Sequence, residues 1–293
     1  MGEEFLRRYY ELSSEKESFL CVGLDPVPPS VRDRFVIPRH LIEEHGLREG
    51  VRRFSLEIVE AVAPYTPMIK VNAWYVLPLL PFEEVGEIVD AVKEAGCLAL
   101  LDAKITDIGS TNAVSLHWIE EMGFDAVTLS PFPGYQGGTD VVYRWAEDTG
   151  KGVFVLCRMS NPGARDYQSR KVEEEPLYRL IARDAAMHGA DGFVVGCTAE
   201  EELGEVREII GEERLIRAPG LGPQGGNPET AFRLGANRRG EGLIVSASRS
   251  IDYAYTVLGW PEERYAEAAA EQARRQRDRL NKIRRLVMGG ERS

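Results

Sequence analysis

The chain has 293 residues, 43% of them hydrophobic and 28% charged, which is ample to bury the core of one large α/β domain or two small ones. Its formal net charge of -11 argues against a general nucleic-acid or anionic-membrane partner, while leaving room for a local basic pocket that takes one anionic ligand. Cys21, Cys97, Cys157 and Cys197 are too scattered for a zinc or redox pair, the N-terminus lacks an apolar signal core, and no stretch reaches the roughly 18 apolar residues of a membrane span, so four buried free thiols and a cytoplasmic location are expected.

Short apolar runs alternate with amphipathic segments along almost the whole chain. The runs cover 19–25, 67–74, 97–104, 126–131, 153–160, 192–196, 215–221 and 242–248, with helix-like stretches between them, for example 82–95 and 174–189. Eight strand-helix repeats in about 250 residues predict an α/β fold of the (β/α)8 TIM-barrel type. An open doubly wound sheet fits less well, because the glycine fingerprint expected after its first strand is missing. The connection 26–66 is longer than a barrel requires and predicts an extra helical insertion after strand 1. Residues 262–288 favour helix and are rich in Arg near their end, which reads as a surface helix whose cations face water. No linker or low-complexity tract interrupts 1–262, so a single domain over 1–293 is expected, with 262–288 as a C-terminal helical extension.

Two of these runs carry charge where charge is expensive. Leu-Asp-Ala-Lys-Ile-Thr-Asp-Ile at 101–108 places Asp102, Lys104 and Asp107 where a buried strand would stop, and Lys70 stands in the run Pro-Met-Ile-Lys-Val-Asn-Ala-Trp at 67–74. The chain has only seven lysines against twenty-nine arginines, and two of the seven sit in such runs. Ionised groups in a low-dielectric setting are kept when paired, and tuning of this kind concentrates at functional sites. In a barrel the C-terminal strand ends form the active face, so Asp25, Lys70, Asn72, Asp102, Lys104 and Ser160 should converge there, with Asp107 and Thr111 in the loop beyond. Along the third strand a period of two puts Asp102 and Lys104 on one face. Taken alone, the triplet Asp102, Lys104 and Asp107 fits a structural ion-pair network equally well, Asp25 fits a turn residue before Pro26, and Ser160 fits a turn former before Asn161. The loops after strands seven and eight, Pro-Gly-Leu-Gly-Pro-Gln-Gly-Gly at 219–226 and Ser-Ala-Ser-Arg at 246–249, supply exposed backbone amides and a guanidinium. Gln224, Ser248 and Arg249 are therefore the candidate phosphate group. His40, His45, His117 and His188 lie away from strand ends and read as surface or packing residues, and Trp74 and Tyr75 read as packing residues.

These segments together resemble the orotidine 5'-phosphate decarboxylase family, in its longer-chained bacterial subgroup. The resemblance runs from Val-Gly-Leu-Asp at 22–25 through Asp-Ala-Lys-Ile-Thr-Asp-Ile-Gly-Ser-Thr at 102–111 and Met-Ser-Asn-Pro-Gly-Ala at 159–164 to Ser-Arg at 248–249. It implies a homodimeric carboxy-lyase of pyrimidine biosynthesis that converts orotidine 5'-monophosphate to uridine 5'-monophosphate without metal or organic cofactor. On that resemblance Lys70, Asp102, Lys104 and Asp107 form an alternating charge array, with Asp107 and Thr111 reaching into the neighbouring subunit's site and Lys104 giving the proton. Asp25 and Lys70 would bind ribose hydroxyls, Ser160 and Gln224 the pyrimidine, Gln224 and Arg249 the phosphate, and Ser248 would make a backbone contact.

Two alternatives stand beside it. A magnesium-dependent sugar-phosphate lyase or decarboxylase on the same barrel shares the Asp-x-Lys-x-x-Asp pattern, but such enzymes place an acid where Lys70 stands, and a lysine there repels the cation. A non-catalytic nucleotide-binding barrel is the other, disfavoured by the intact set of Lys70, Asp102, Lys104 and Asp107.

Overall fold

The computed structural model describes residues 3–220 and 226–290. Its strands are β1 (Leu20–Leu24), β2 (Met68–Asn72), β3 (Leu98–Ile105), β4 (Ala126–Leu129), β5 (Gly152–Arg158), β6 (Lys171–Val172), β7 (Glu175–Pro176), β8 (Gly192–Val195), β9 (Leu215–Pro219) and β10 (Leu243–Ala247). Eight of them close a parallel barrel in the order β1-β10-β9-β8-β5-β4-β3-β2, so each expected apolar run is a barrel strand. β6 and β7 form a small antiparallel hairpin outside it.

The strands are apolar on both sides because both are covered. Cys21, Met68, Leu98, Leu100, Ala126, Phe154, Val194, Leu215 and Ile244 fill the barrel interior, while intervening residues such as Ile69, Val71, Ala99 and Leu101 pack outward against the helices. Following the inward row two residues further along each strand, Met68 gives way to Lys70, Leu100 to Asp102, Ala126 to Thr128, Leu215 to Arg217 and Ile244 to Ser246. The interior is thus apolar at the N-terminal end of the strands and polar at the C-terminal end, where a barrel of this class holds its site.

An N-terminal helix, Glu3–Glu15, closes the apolar end. Its Phe5 and Tyr9 are fully buried in the interior cluster, and the Phe5 ring meets Phe154 edge-on at 5.9 Å. Nearby, two strand starts use the same device. Asp125 Oδ2 accepts the backbone N–H of Ala99 at 2.9 Å, and Asp191 Oδ2 accepts that of Val153 at 2.9 Å. Arg8 pairs with Asp125 at 3.1 Å, whereas Asp191 Oδ1 is buried without a partner among the described residues.

The long connection after β1 holds two helices, Arg39–His45 and Leu47–Val62, as expected from its length. The C-terminal helix, Tyr265–Gly290, packs across Leu47–Val62, Pro228–Gly235 and the segment 249–258, and its Arg274 and Arg275 pair with Glu271 on its own surface. Two local expectations change. The helical stretch expected over 174–189 begins only at Leu177, because Pro176 at its N-cap biases Glu175 toward an extended conformation and leaves it to the hairpin. Trp74, expected to pack, is 79% exposed: Asn72 caps a single helical turn, Ala73–Val76, by accepting from Trp74 N at 3.3 Å, and that turn carries the indole outward.

Candidate active site

Asp102 is the hub of the polar end. Its Oδ1 accepts from Lys104 Nζ at 2.6 Å and from Thr128 Oγ1 at 3.0 Å, while its Oδ2 faces Lys70 Nζ at 3.5 Å and Arg217 NH2 at 4.0 Å. Lys70 in turn donates to Asp25 Oδ1 at 3.0 Å. Adjacent strands bring these groups together through their register: Gly23 pairs with Lys70, and Asn72 with Asp102. Burial alone would raise the Asp102 carboxyl, but Lys70, Arg217 and Lys104 outweigh it and hold the group well below the usual carboxylate range. For Lys70, burial pulls down and the charges of Asp25 and Asp102 more than compensate, so the ammonium is strengthened.

Lys104 reaches Asp102 by a route that simple alternation does not describe. Its backbone is left-handed, φ +52, in the stretch where the β3–β4 register shifts between Leu101 and Ile105. A non-glycine residue pays on the order of 1 kcal/mol for that conformation. Thr128 holds it in place, taking the Lys104 N–H on Oγ1 at 2.9 Å while giving its own proton to Asp102. Strain, hydroxyl and carboxylate are therefore one unit.

Gly23 makes room for the cluster. A Cβ there would sit 1.9 Å from Ser248 Oγ and 2.9 Å from Lys70 Cε, so β1 must be bare where the Ser248 loop and the Lys70 stem cross it. Asp25 is gripped through its backbone: its N–H donates to Asp252 Oδ2 at 3.0 Å and its carbonyl accepts from Tyr253 Oη at 2.6 Å. Asp252 is fully buried, and burial together with nearby Asp25 pushes its carboxyl well up.

Asp25, Lys70, Asp102, Lys104 and Ser248 are thus assembled within one mouth. Asn72 adjoins them on β2 while capping the turn after it. Ser160 ends the segment after β5, its carbonyl accepting from Thr198 Oγ1 at 3.1 Å and its Cα seated against Gly196. Asp107 and Thr111 are exposed, and Asp107 Oδ1 accepts the Ile108 N–H at 2.7 Å, so within this chain neither touches the cluster. Arg249 is exposed at the start of the short helix Arg249–Asp252, its guanidinium 5.9 Å from the Phe35 ring centre. Gln224 lies outside the described residues. Arg217 and Asp252 were missed in the sequence. For Arg217 the signal was present, a cation on the inward row of the run Leu-Ile-Arg-Ala-Pro, the same signal that exposes Lys70; for Asp252 the chain offers no comparable cue.

Comparison with known proteins finds relatives of one kind. Residues 18–257 match the model of the orotidine 5'-phosphate decarboxylase / HUMPS family. The orotidine 5'-phosphate decarboxylase of Cupriavidus metallidurans is 34% identical over 275 residues, covering 92% of this chain and 94% of that one. Among solved structures, a chain from Toxoplasma gondii superposes with a TM-score of 0.80 at 27% identity, covering 97% of this chain and 98% of its own. The OMP decarboxylase of Leishmania donovani does so with a TM-score of 0.74 at 25% identity, covering 94% and 98%.

Proposed function

The chain belongs to the orotidine 5'-phosphate decarboxylase family and is a carboxy-lyase that converts orotidine 5'-monophosphate to uridine 5'-monophosphate in pyrimidine biosynthesis; from that premise we propose that Lys70, Asp102 and Lys104, completed by Asp107 of a second copy, carry the chemistry. The observation that supports this division of labour is the set of contacts around Asp102, a buried carboxylate with an ammonium at 2.6 Å on one oxygen and two further cations on the other.

Departure of carbon dioxide from C6 of the pyrimidine leaves an electron pair in the ring plane, out of reach of the π-system. A fixed positive charge beside that carbon is what lowers the barrier, and it costs least when set in advance. Lys104, 39% exposed and open to the mouth, stands there and then donates its proton to the carbanion. Asp102 crowds the substrate carboxylate, raising the bound substrate relative to the transition state. Asp25 and Lys70 hold ribose hydroxyls, Asn72 supports them, and Ser160 with Gln224 addresses the pyrimidine. Gln224, Ser248 and Arg249 take the phosphate, whose binding energy helps to organise the array. No metal or organic cofactor is used: Lys70 fills the space between Asp25 and Asp102 in which a cation would need both carboxylates.

The acting unit is a homodimer with shared sites. The helix Gly109–Glu121 exposes Val114 and Trp118, and Trp118 stacks on exposed Phe82 at 5.4 Å. Thr111 precedes Val114 on the same stripe at helical spacing, and Ile108, 62% exposed, adjoins Asp107. A partner covering this apolar stripe would lie beside Asp107 and Thr111. The four buried free thiols fit a reducing, cytoplasmic setting, and the chain is one domain over 1–293.

The test is decay of orotidine 5'-monophosphate absorbance with purified protein in excess chelator, alongside Lys104→Ala. Turnover that ignores the chelator and falls about a thousandfold or more in the variant is expected. Dependence on added magnesium would transfer the site to the sugar-phosphate chemistry.

A further inference from the structure

Arg217 is a charge that the chemistry above does not use. It stands on the inward row of β9, 4% exposed, one inward position beyond Leu215, with NH1 donating to Ser246 Oγ at 3.2 Å and NH2 4.0 Å from Asp102 Oδ2. Its Nε is buried with no partner among the described residues. A guanidinium in this setting is costly, and an aliphatic side chain like those of Leu215 and Ile244 in the layer below would fill the barrel without that cost. Packing therefore does not account for it.

Charge balance does. Two ionised carboxylates, Asp25 and Asp102, face three cations, Lys70, Lys104 and Arg217, whereas Asp252 beside them is pushed by burial toward its neutral form. The one excess cation offsets part of the negative charge that arrives with the substrate carboxylate and with the partner's Asp107. The two oxygens of Asp102 are also held differently. Oδ1 has two short contacts, from Lys104 and Thr128, while Oδ2 has only longer ones, Lys70 at 3.5 Å and Arg217 at 4.0 Å. Lys70 is drawn more strongly the other way, to Asp25 at 3.0 Å.

We propose that Arg217 is a positioning residue for decarboxylation, holding Asp102 Oδ2 from the β9 side so that Oδ1 stays turned toward Lys104. This rests on the reading of Asp102 and Lys104 as catalytic. The groups facing the pair are Cys21 and Asp25 on the β1 side, Lys70 from β2, Lys104 from β3, Thr128 from β4 and Ser246 from β10. Cys21 is pushed up by burial and stays a neutral thiol.

The experiment measures kcat and KM of full-length Arg217→Gln, Arg217→Lys and Asp102→Asn against orotidine 5'-monophosphate near neutral pH. Arg217→Gln keeps a partner for Ser246 but loses the charge, so kcat is expected to fall by roughly tenfold or more with KM little changed, while Arg217→Lys recovers most of the loss. Wild-type kcat in Arg217→Gln, or a lysine variant no better than the glutamine one, would overturn the proposal. If Asp102→Asn keeps its kcat, the catalytic reading of Asp102 fails and this proposal with it. If Asp102→Asn loses kcat and Arg217→Gln does not, the proposal alone fails. Should Arg217→Gln not fold, Ser246→Ala decides: a lower kcat with KM little changed supports the positioning role, and wild-type kinetics overturn it.

Discussion

Lys104 Nζ and Asp102 Oδ1 meet at 2.6 Å, yet the lysine side chain is 39% exposed and the aspartate side chain 8%. Removing one partner should therefore cost far more than removing the other. Asp102→Asn leaves Lys70, Lys104 and Arg217 without the carboxylate that offsets them and is expected to lower the free energy of unfolding by about 3 kcal/mol. Lys104→Ala leaves Asp102 with Lys70 and Arg217 and should change it by less than about 1 kcal/mol. Urea denaturation of the two variants checks this; equal losses would mark the pair as a structural bridge.

Arg249 begins a helix at the rim with its guanidinium free of the Asp102 cluster. Arg249→Ala is expected to reduce kcat/KM for orotidine 5'-monophosphate by about 100-fold while leaving the slow reaction of phosphate-free orotidine unchanged. Thermal stability should barely move. Equal losses on both substrates would place the phosphate elsewhere.

The stripe of Val114 and Trp118 makes a prediction about assembly. Trp118→Glu puts a charge in the middle of an apolar contact, so sedimentation should show the mass halved at micromolar concentration. Activity should fall with it, because Asp107 and Thr111 would no longer reach a second mouth. A variant that is monomeric and fully active would confine the site to one chain.

Asp191 titrates in an unusual place. Burial pushes its carboxyl up to about 7, against the pull of the Val153 N–H and Arg214. The folded value thus lies above the unfolded one, so the stability it contributes is full below about pH 4 and is lost as pH rises through about 7. Asp191→Asn keeps an acceptor for Val153 N but cannot ionise. The difference in melting temperature between variant and wild type should move in the variant's favour from pH 5 to pH 8; a difference that does not vary with pH would mean the carboxyl titrates normally.

Much of this arrangement is legible in the chain because the polar ends of the strands interrupt apolar runs. Lys70 stood out through the rarity of lysine. Arg217 did not, since one arginine among twenty-nine carries little contrast, and only the inward row of β9 shows that it faces Asp102. The N-terminal helix is amphipathic in sequence, but the socket for Phe5 and Tyr9 exists only once distant strands have met. The left-handed turn at Lys104 is likewise set by Thr128, twenty-four residues away, and nothing local in Asp-Ala-Lys-Ile announces it.

The β1–β10 seam pairs Leu20 with Val245 and Val22 with Ala247. On a ribosome, the strand leading to Asp25 is made more than 200 residues before the one it pairs with and waits with one edge unsatisfied until that partner emerges. Such late closure makes for slow folding and a long exposure to mispairing. A substitution that weakens this seam would lengthen that exposure.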